Sequence, residues 1–140
     1  MKLSLTQSEY VISISAVGSV VKAGSQKESD MKPHSTEAKV LEVNRKVLEK
    51  LEYQLAIAEK EHHISRDVDL NRQEAKVYVA TMLLAASMQS RALGEYEKRP
   101  DDHASFSSEP GRSKADYVAR LTQRMEEVNK VLRKLEAATR

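Results

Sequence analysis

Between positions 118 and 135 the chain sets its apolar residues three and four apart in alternation: Val118, Leu121, Met125, Val128, Leu132 and Leu135. Apart from Val131 and small alanines, nothing apolar falls between them. This is the a/d pattern of a coiled-coil-like helix that meets a neighbour along one narrow seam. About three heptads are marginal alone, because isolated helices of that length gain little from propensity. The chain must therefore supply a surface for the seam, either from its own body or from a second chain.

The rest of the sequence offers helices to receive it. Gly is 4 and Pro is 3 in 140 residues, and the prolines fall outside the periodic segments, which leaves long stretches nearly free of helix breakers. The aromatic share is 4%, with no Trp and one Phe, so the core must be built from aliphatic residues, Ala and Met. Such a composition suits helix-on-helix packing, and the length suits one domain. The expected class is all-α: an antiparallel helical bundle of three long helices with a short N-terminal helix or arm.

Residues 1–24 read as that helix or arm. Thr6 and Glu9 form a capping box, with Leu5 and Tyr10 placed as a hydrophobic staple. Tyr10, Ile14, Val17 and Val21 follow a helical face, and Gly24 sits where a C-terminal cap belongs. The run Val11-Ile12-Ser13-Ile14-Ser15 also suits a strand or a flexible arm. Residues 25–34 are polar with Pro33 and read as a linker.

Residues 35–140 form the bundle domain. A helix over 35–64, capped by Ser35 or Thr36, carries Leu41, Leu48 and Leu55 at seven-residue intervals beside Val40, Val47 and Leu51. Residues 65–69 read as a turn, with Ser65, Asp67 and Asp69 as possible caps and Asn71 with Glu74 as a further start. A short connection between long helices implies a helical hairpin. The helix over 69–98 is nearly all apolar from 77 to 88, which makes it the expected central helix. Residues 99–112 read as a loop, and Ser113 caps the heptad helix over 113–138. At about 1.5 Å per residue the long helices each extend roughly 40 Å.

Charge excludes more than it selects. The formal charge is +2, from 23 Lys and Arg against 21 Asp and Glu, with the signs interspersed. No basic run exceeds two residues, so nucleic acid is an unlikely partner. From Arg112 onward eight cations face Asp116, Glu126, Glu127 and Glu136, leaving +4 on the final segment. A dimeric nucleic-acid-binding regulator using that basic helix is therefore the alternative reading. The apolar run over 77–88 is too short for a membrane span, which needs about 20 residues.

Chemistry-bearing motifs are sparse. There are no cysteines, no G-x-S-x-G elbow and no glycine-rich phosphate loop. Glu59 and His62 have E-x-x-H spacing, but a carboxylate-bridged di-iron site needs a second such element and two more inward glutamates. Asp101 and Asp102 lie beside Pro100, where turn formation explains them. No catalytic residue, cofactor or metal is assigned. His62 continues the phase of Leu41, Leu48 and Leu55, and with His63 forms a possible pH-sensitive pair at a helix contact.

The expected function is thus a non-catalytic assembly or interaction protein, an adaptor, chaperone-like or structural assembly factor. Its interaction seam is Val118, Leu121, Met125, Val128, Leu132 and Leu135, and its partner is a protein or a second copy in a homo-oligomer. Localisation is unassigned; the cytoplasm is favoured, and secretion by a non-cleaved route stays open.

Overall fold

The computed structural model describes residues 1–99 and 114–139. The expected loop over 99–112 and the Ser113 cap lie, apart from Arg99, outside the described residues. The molecule is mostly helical, with four helices and a small two-stranded sheet, in the order β1 (Lys2–Thr6), α1 (Gln7–Gln26), α2 (Thr36–Glu61), β2 (Ser65–Asp69), α3 (Arg72–Lys98) and α4 (Lys114–Thr139). A single 3-10 turn, Glu28–Asp30, occupies part of the expected linker.

The all-α expectation broadly fits, and a small sheet that the sequence reading did not include is added to it. β1 and β2 run antiparallel, with Leu3 opposite Val68 and Leu5 opposite Arg66. Alternation in Lys-Leu-Ser-Leu turns Leu3 and Leu5 inward; Val68 on β2, opposite Leu3, and Leu70, just past the end of β2, are buried with them. Two strands alone are marginal in water, so the pair depends on the helices against its buried face. The segment expected as a turn is extended because its backbone groups pair with β1.

Capping signals place three helix starts. Thr6 accepts from the Glu9 amide while the Glu9 carboxylate accepts from the Thr6 amide at 2.9 Å, and Leu5 and Tyr10 are fully buried beside that start. Ser35 caps α2, and Asn71 and Glu74 repeat the reciprocal box at α3. Gly24 does not end α1, which continues to Gln26; a Cβ at Gly24 would lie 2.7 Å from Leu41 Cδ1, so this glycine serves close approach of α1 to α2.

Two further expectations change. α2 stops at Glu61 rather than 64, where His62 turns into the left-handed region at φ 57°. The apolar run of α3 does not make it a helix buried all round: Tyr78, Thr81 and Met82 are buried, whereas Leu83, Leu84 and Met88 are more than half exposed. The core gathers Leu3, Leu5 and Val68 from the sheet, Val17 from α1, Val47 and Leu51 from α2, Tyr78 and Met82 from α3, and Val131 and Leu135 from α4.

Candidate functional site

Half of the heptad seam is closed inside its own chain. Val128, Leu132 and Leu135 are buried, while Val118, Leu121 and Met125 are half-buried toward the start of α4. α4 packs mainly on α3, with further contacts to α1 and β1. Its apolar period is therefore spent on intramolecular packing over the last three turns.

The histidine pair is not brought to a helix contact. His62 ends α2 in the left-handed region and is exposed, so the heptad phase breaks one residue before it. His63 is half-buried, with Nδ1 at 2.9 Å from Arg66 Nη1 and Nε2 at 3.3 Å from the Glu61 carboxylate. Among the described residues no three His, Asp or Glu side chains gather as metal ligands.

The most strongly arranged charges are two lysine clasps. Lys134 on α4 donates to the Glu9 carboxylate at 2.6 Å and to the Ser4 carbonyl at 3.0 Å. Lys50 on α2 donates to the Glu74 carboxylate at 2.7 Å and to the Asp69 carbonyl at 3.0 Å. Each lysine thus covers a carbonyl of a strand and neutralises a buried capping glutamate, and lysines placed this way also protect a sheet edge from pairing with other chains. Burial pushes the Glu9 carboxyl up, but the Lys134 ammonium and the Thr6 donors outweigh it and hold the group below the usual carboxylate range. Burial, helped by the Asp67 charge, pushes the Tyr10 phenol up to about 12, and its hydroxyl donates to the Arg66 carbonyl at 2.8 Å. These groups are consumed in holding elements together.

The basic character of α4 is partly spent in the same way. Lys134 is held by Glu9, Lys130 lies 3.6 Å from Glu127, and Arg133 Nε donates to the Asn129 carbonyl.

What remains open is an apolar face. Leu84 and Met88 stand out from α3, and grooves on either side of Leu84 run between α1 and α3 and between α3 and α2. Val20, Val40, Val77 and Ala80 line one groove; Ile12, Ser15 and Ser19 line the other. The Gln89 side-chain oxygen is buried at the second groove with no hydrogen-bond partner among the described residues. Such an oxygen costs about 1–3 kcal/mol while it stays unpaired. No family model, curated protein or solved structure matches the chain. No described helix is long and apolar enough to cross a membrane.

Sequence reasoning placed the interaction surface on α4. It passed over α3 because a run apolar on all sides reads as core, and its exposed face depends on how many neighbours the fold supplies. The two clasp lysines were assigned no role, although the same heptapeptide pattern, Lys-Val-Leu-x-Lys-Leu-Glu, surrounds both, at 46–52 and 130–136.

Proposed function

We propose that the protein is a non-catalytic helical assembly protein that associates with a second copy of itself through the α1–α3 face. The observation carrying this reading is the exposure of Leu84 at 51% and Met88 at 62%, one turn apart on α3 and lining the same α1–α3 groove. Contiguous apolar surface of this kind marks association sites in soluble proteins, and methionine repacks readily at them. The buried, unpaired Gln89 oxygen beside Met88 adds an acceptor that a docked chain can satisfy. The heptad seam loses the role first expected of it, because most of its apolar area is already covered within the chain.

The helices beneath this face are arranged, in our reading, as an antiparallel bundle. Lys50 meets Glu74 and Asn44 meets Thr81, so residue numbers fall along α2 as they rise along α3. That arrangement supports a rigid platform, which an assembly surface needs if it is to bury area without ordering loose segments.

Molar mass in solution tests the proposal. The expected result is a dimer for the parent chain and a monomer for Leu84→Asp/Met88→Asp, with helical content and melting temperature retained. A parent chain that stays monomeric at high concentration, or a double variant that remains dimeric, refutes it. Association through an apolar face also persists as salt is raised, whereas a phosphate-binding surface on α4 weakens steeply.

A further inference from the structure

The sheet maps onto itself by a half-turn. Leu3 faces Val68, and the flanking pairs exchange roles across them: Lys2 faces Asp69, and Ser4 faces Asp67. Each strand then enters a helix through the same device, Thr6 with Glu9 in one case and Asn71 with Glu74 in the other. At one constant separation along the chain, Leu3, Leu5, Glu9 and Val17 correspond to Val68, Leu70, Glu74 and Met82, and all eight are buried.

The second helices correspond too. Lys46, Val47, Leu48, Lys50, Leu51 and Glu52 on α2 recur in order and spacing as Lys130, Val131, Leu132, Lys134, Leu135 and Glu136 on α4. The clasps join these correspondences in space. Lys50 takes Glu74 and the Asp69 carbonyl; Lys134 takes Glu9 and the Ser4 carbonyl. Glu9 is the counterpart of Glu74, and Ser4 of Asp69, so the two clasps are one clasp made twice. Each reaches from one half into the other. Head-to-tail stacking of two repeats would make it once, whereas a closed two-fold pair makes it in both directions, as in an isologous dimer.

We propose that residues 2–61 and 65–139 are two copies of one β-α-α unit, joined in tandem and closed on each other as an intramolecular counterpart of a two-fold dimer, with Ser13 and Tyr78 setting which halves pair. Ser13 and Tyr78 are themselves counterparts, at the same separation as Leu3 and Val68. Both are fully buried and in contact, the Tyr78 hydroxyl donating to Ser13 Oγ. A residue on a two-fold axis meets its own counterpart. Two first halves would bring serine to serine and leave a hollow; two second halves would bring tyrosine to tyrosine and overfill it. One large and one small residue fill the axis only when unlike halves meet.

A second contact discriminates in the same direction. Asn44 accepts from Thr81 in the interior, while their counterparts, Val128 and Ala16, are apolar. A pair of first halves would set the buried Asn44 amide against Ala16 with no partner, a cost that favours the unlike pairing. The surface has diverged as well. Val77, Ala80 and Leu84 beside one groove correspond to Ile12, Ser15 and Ser19 beside the other, so one interaction face carries two related seats of different polarity.

The test exchanges the axis residues in the full chain. Ser13→Tyr places two phenols on the axis, Tyr78→Ser leaves two hydroxymethyl groups around a hollow, and each single variant is expected to melt well below the parent. The double variant only moves the phenol across the axis, and it is expected to regain at least half of the summed loss in melting temperature. A folded double variant that melts at or below the worse single variant overturns the proposal. Asn44→Val/Thr81→Ala, which gives one half the residues the other already carries, is a second measure in case crowding prevents folding. It is expected to melt within a few degrees of the parent, and a loss as large as that of Asn44→Ala overturns the proposal.

Discussion

Removing the ammonium from one clasp isolates the electrostatics of this fold. In Lys134→Met the long apolar stem is kept, and the buried Glu9 carboxylate, 2% exposed, loses its cation. Breaking a fully buried ion pair by deleting one partner costs about 3–5 kcal/mol. The Lys134 side chain is 40% exposed, so water partly screens the pair and replaces the lost donor, and we expect about 2 kcal/mol at neutral pH. For a chain of this size that is roughly 6–10 °C in melting temperature. The sign of the pH dependence separates a charge effect from lost packing. In the parent, the Glu9 carboxyl lies below its ordinary value of 4.5, so its contribution is full above that value and is lost as pH falls through the folded-state value. In the variant, burial acts against the Thr6 donors alone, so the carboxyl lies higher than in the parent and its protonation costs the folded form less. The gap between the two proteins should therefore narrow to less than half when urea unfolding is repeated near pH 4. Carboxylates that titrate alike in both proteins cancel in that difference. A gap of equal size at both pH values would show that Glu9 is not the group responding to Lys134.

Three other measurements bear on the same reasoning. Leu135→Ala, at a fully buried position of the heptad seam, should cost about 2–5 kcal/mol without changing molar mass, and dissociation of an oligomer instead would place the seam between chains. Leu51→Ala, its counterpart on α2, should cost a similar amount by urea unfolding. His62→Gly should raise the unfolding free energy measured in urea by about 0.5–1 kcal/mol, because the residue ending α2 is held at φ 57° and glycine takes that conformation without a Cβ penalty; a loss of stability would contradict this.

Local chemistry was legible in the sequence where it acts over a few residues. Thr6 with Glu9, Ser35, and Asn71 with Glu74 each bond within three positions, so their helix starts can be read without knowing the rest of the fold. The burial of Val128, Leu132 and Leu135 was legible for a similar reason, since period alone defines the face. β2 was not legible. Ser-Arg-Asp-Val-Asp has a single apolar residue and poor strand propensity, and its extended form comes from a partner strand at the far end of the first half. The end of α1 was misplaced because glycine signals two different things, and at Gly24 close approach to Leu41 outweighs termination. The exposed side of α3 was hidden because a twelve-residue run that is nearly all apolar carries no phase, and only the number of packed neighbours decides which side stays bare.

The repeated Lys-Val-Leu-x-Lys-Leu-Glu was the one long-range signal present in the sequence itself, and its physical content lies in the fifth position. A lysine there lies three residues after a buried valine and directly before a buried leucine, Val47 and Leu51 on α2 and Val131 and Leu135 on α4, close enough to the apolar stripe for its stem to run over the sheet rim while its ammonium reaches a strand carbonyl. On a solitary helix that position is only solvated surface. In a closed pair of β-α-α units it covers the other unit's strand, so one carbonyl of each strand meets a lysine from the other half. If the halves are closed in this way, further association has to use surface that the pairing leaves bare. The Leu84–Met88 face is such a surface, and on the proposed reading the closure of the heptad seam moves the expected assembly site from α4 to α3.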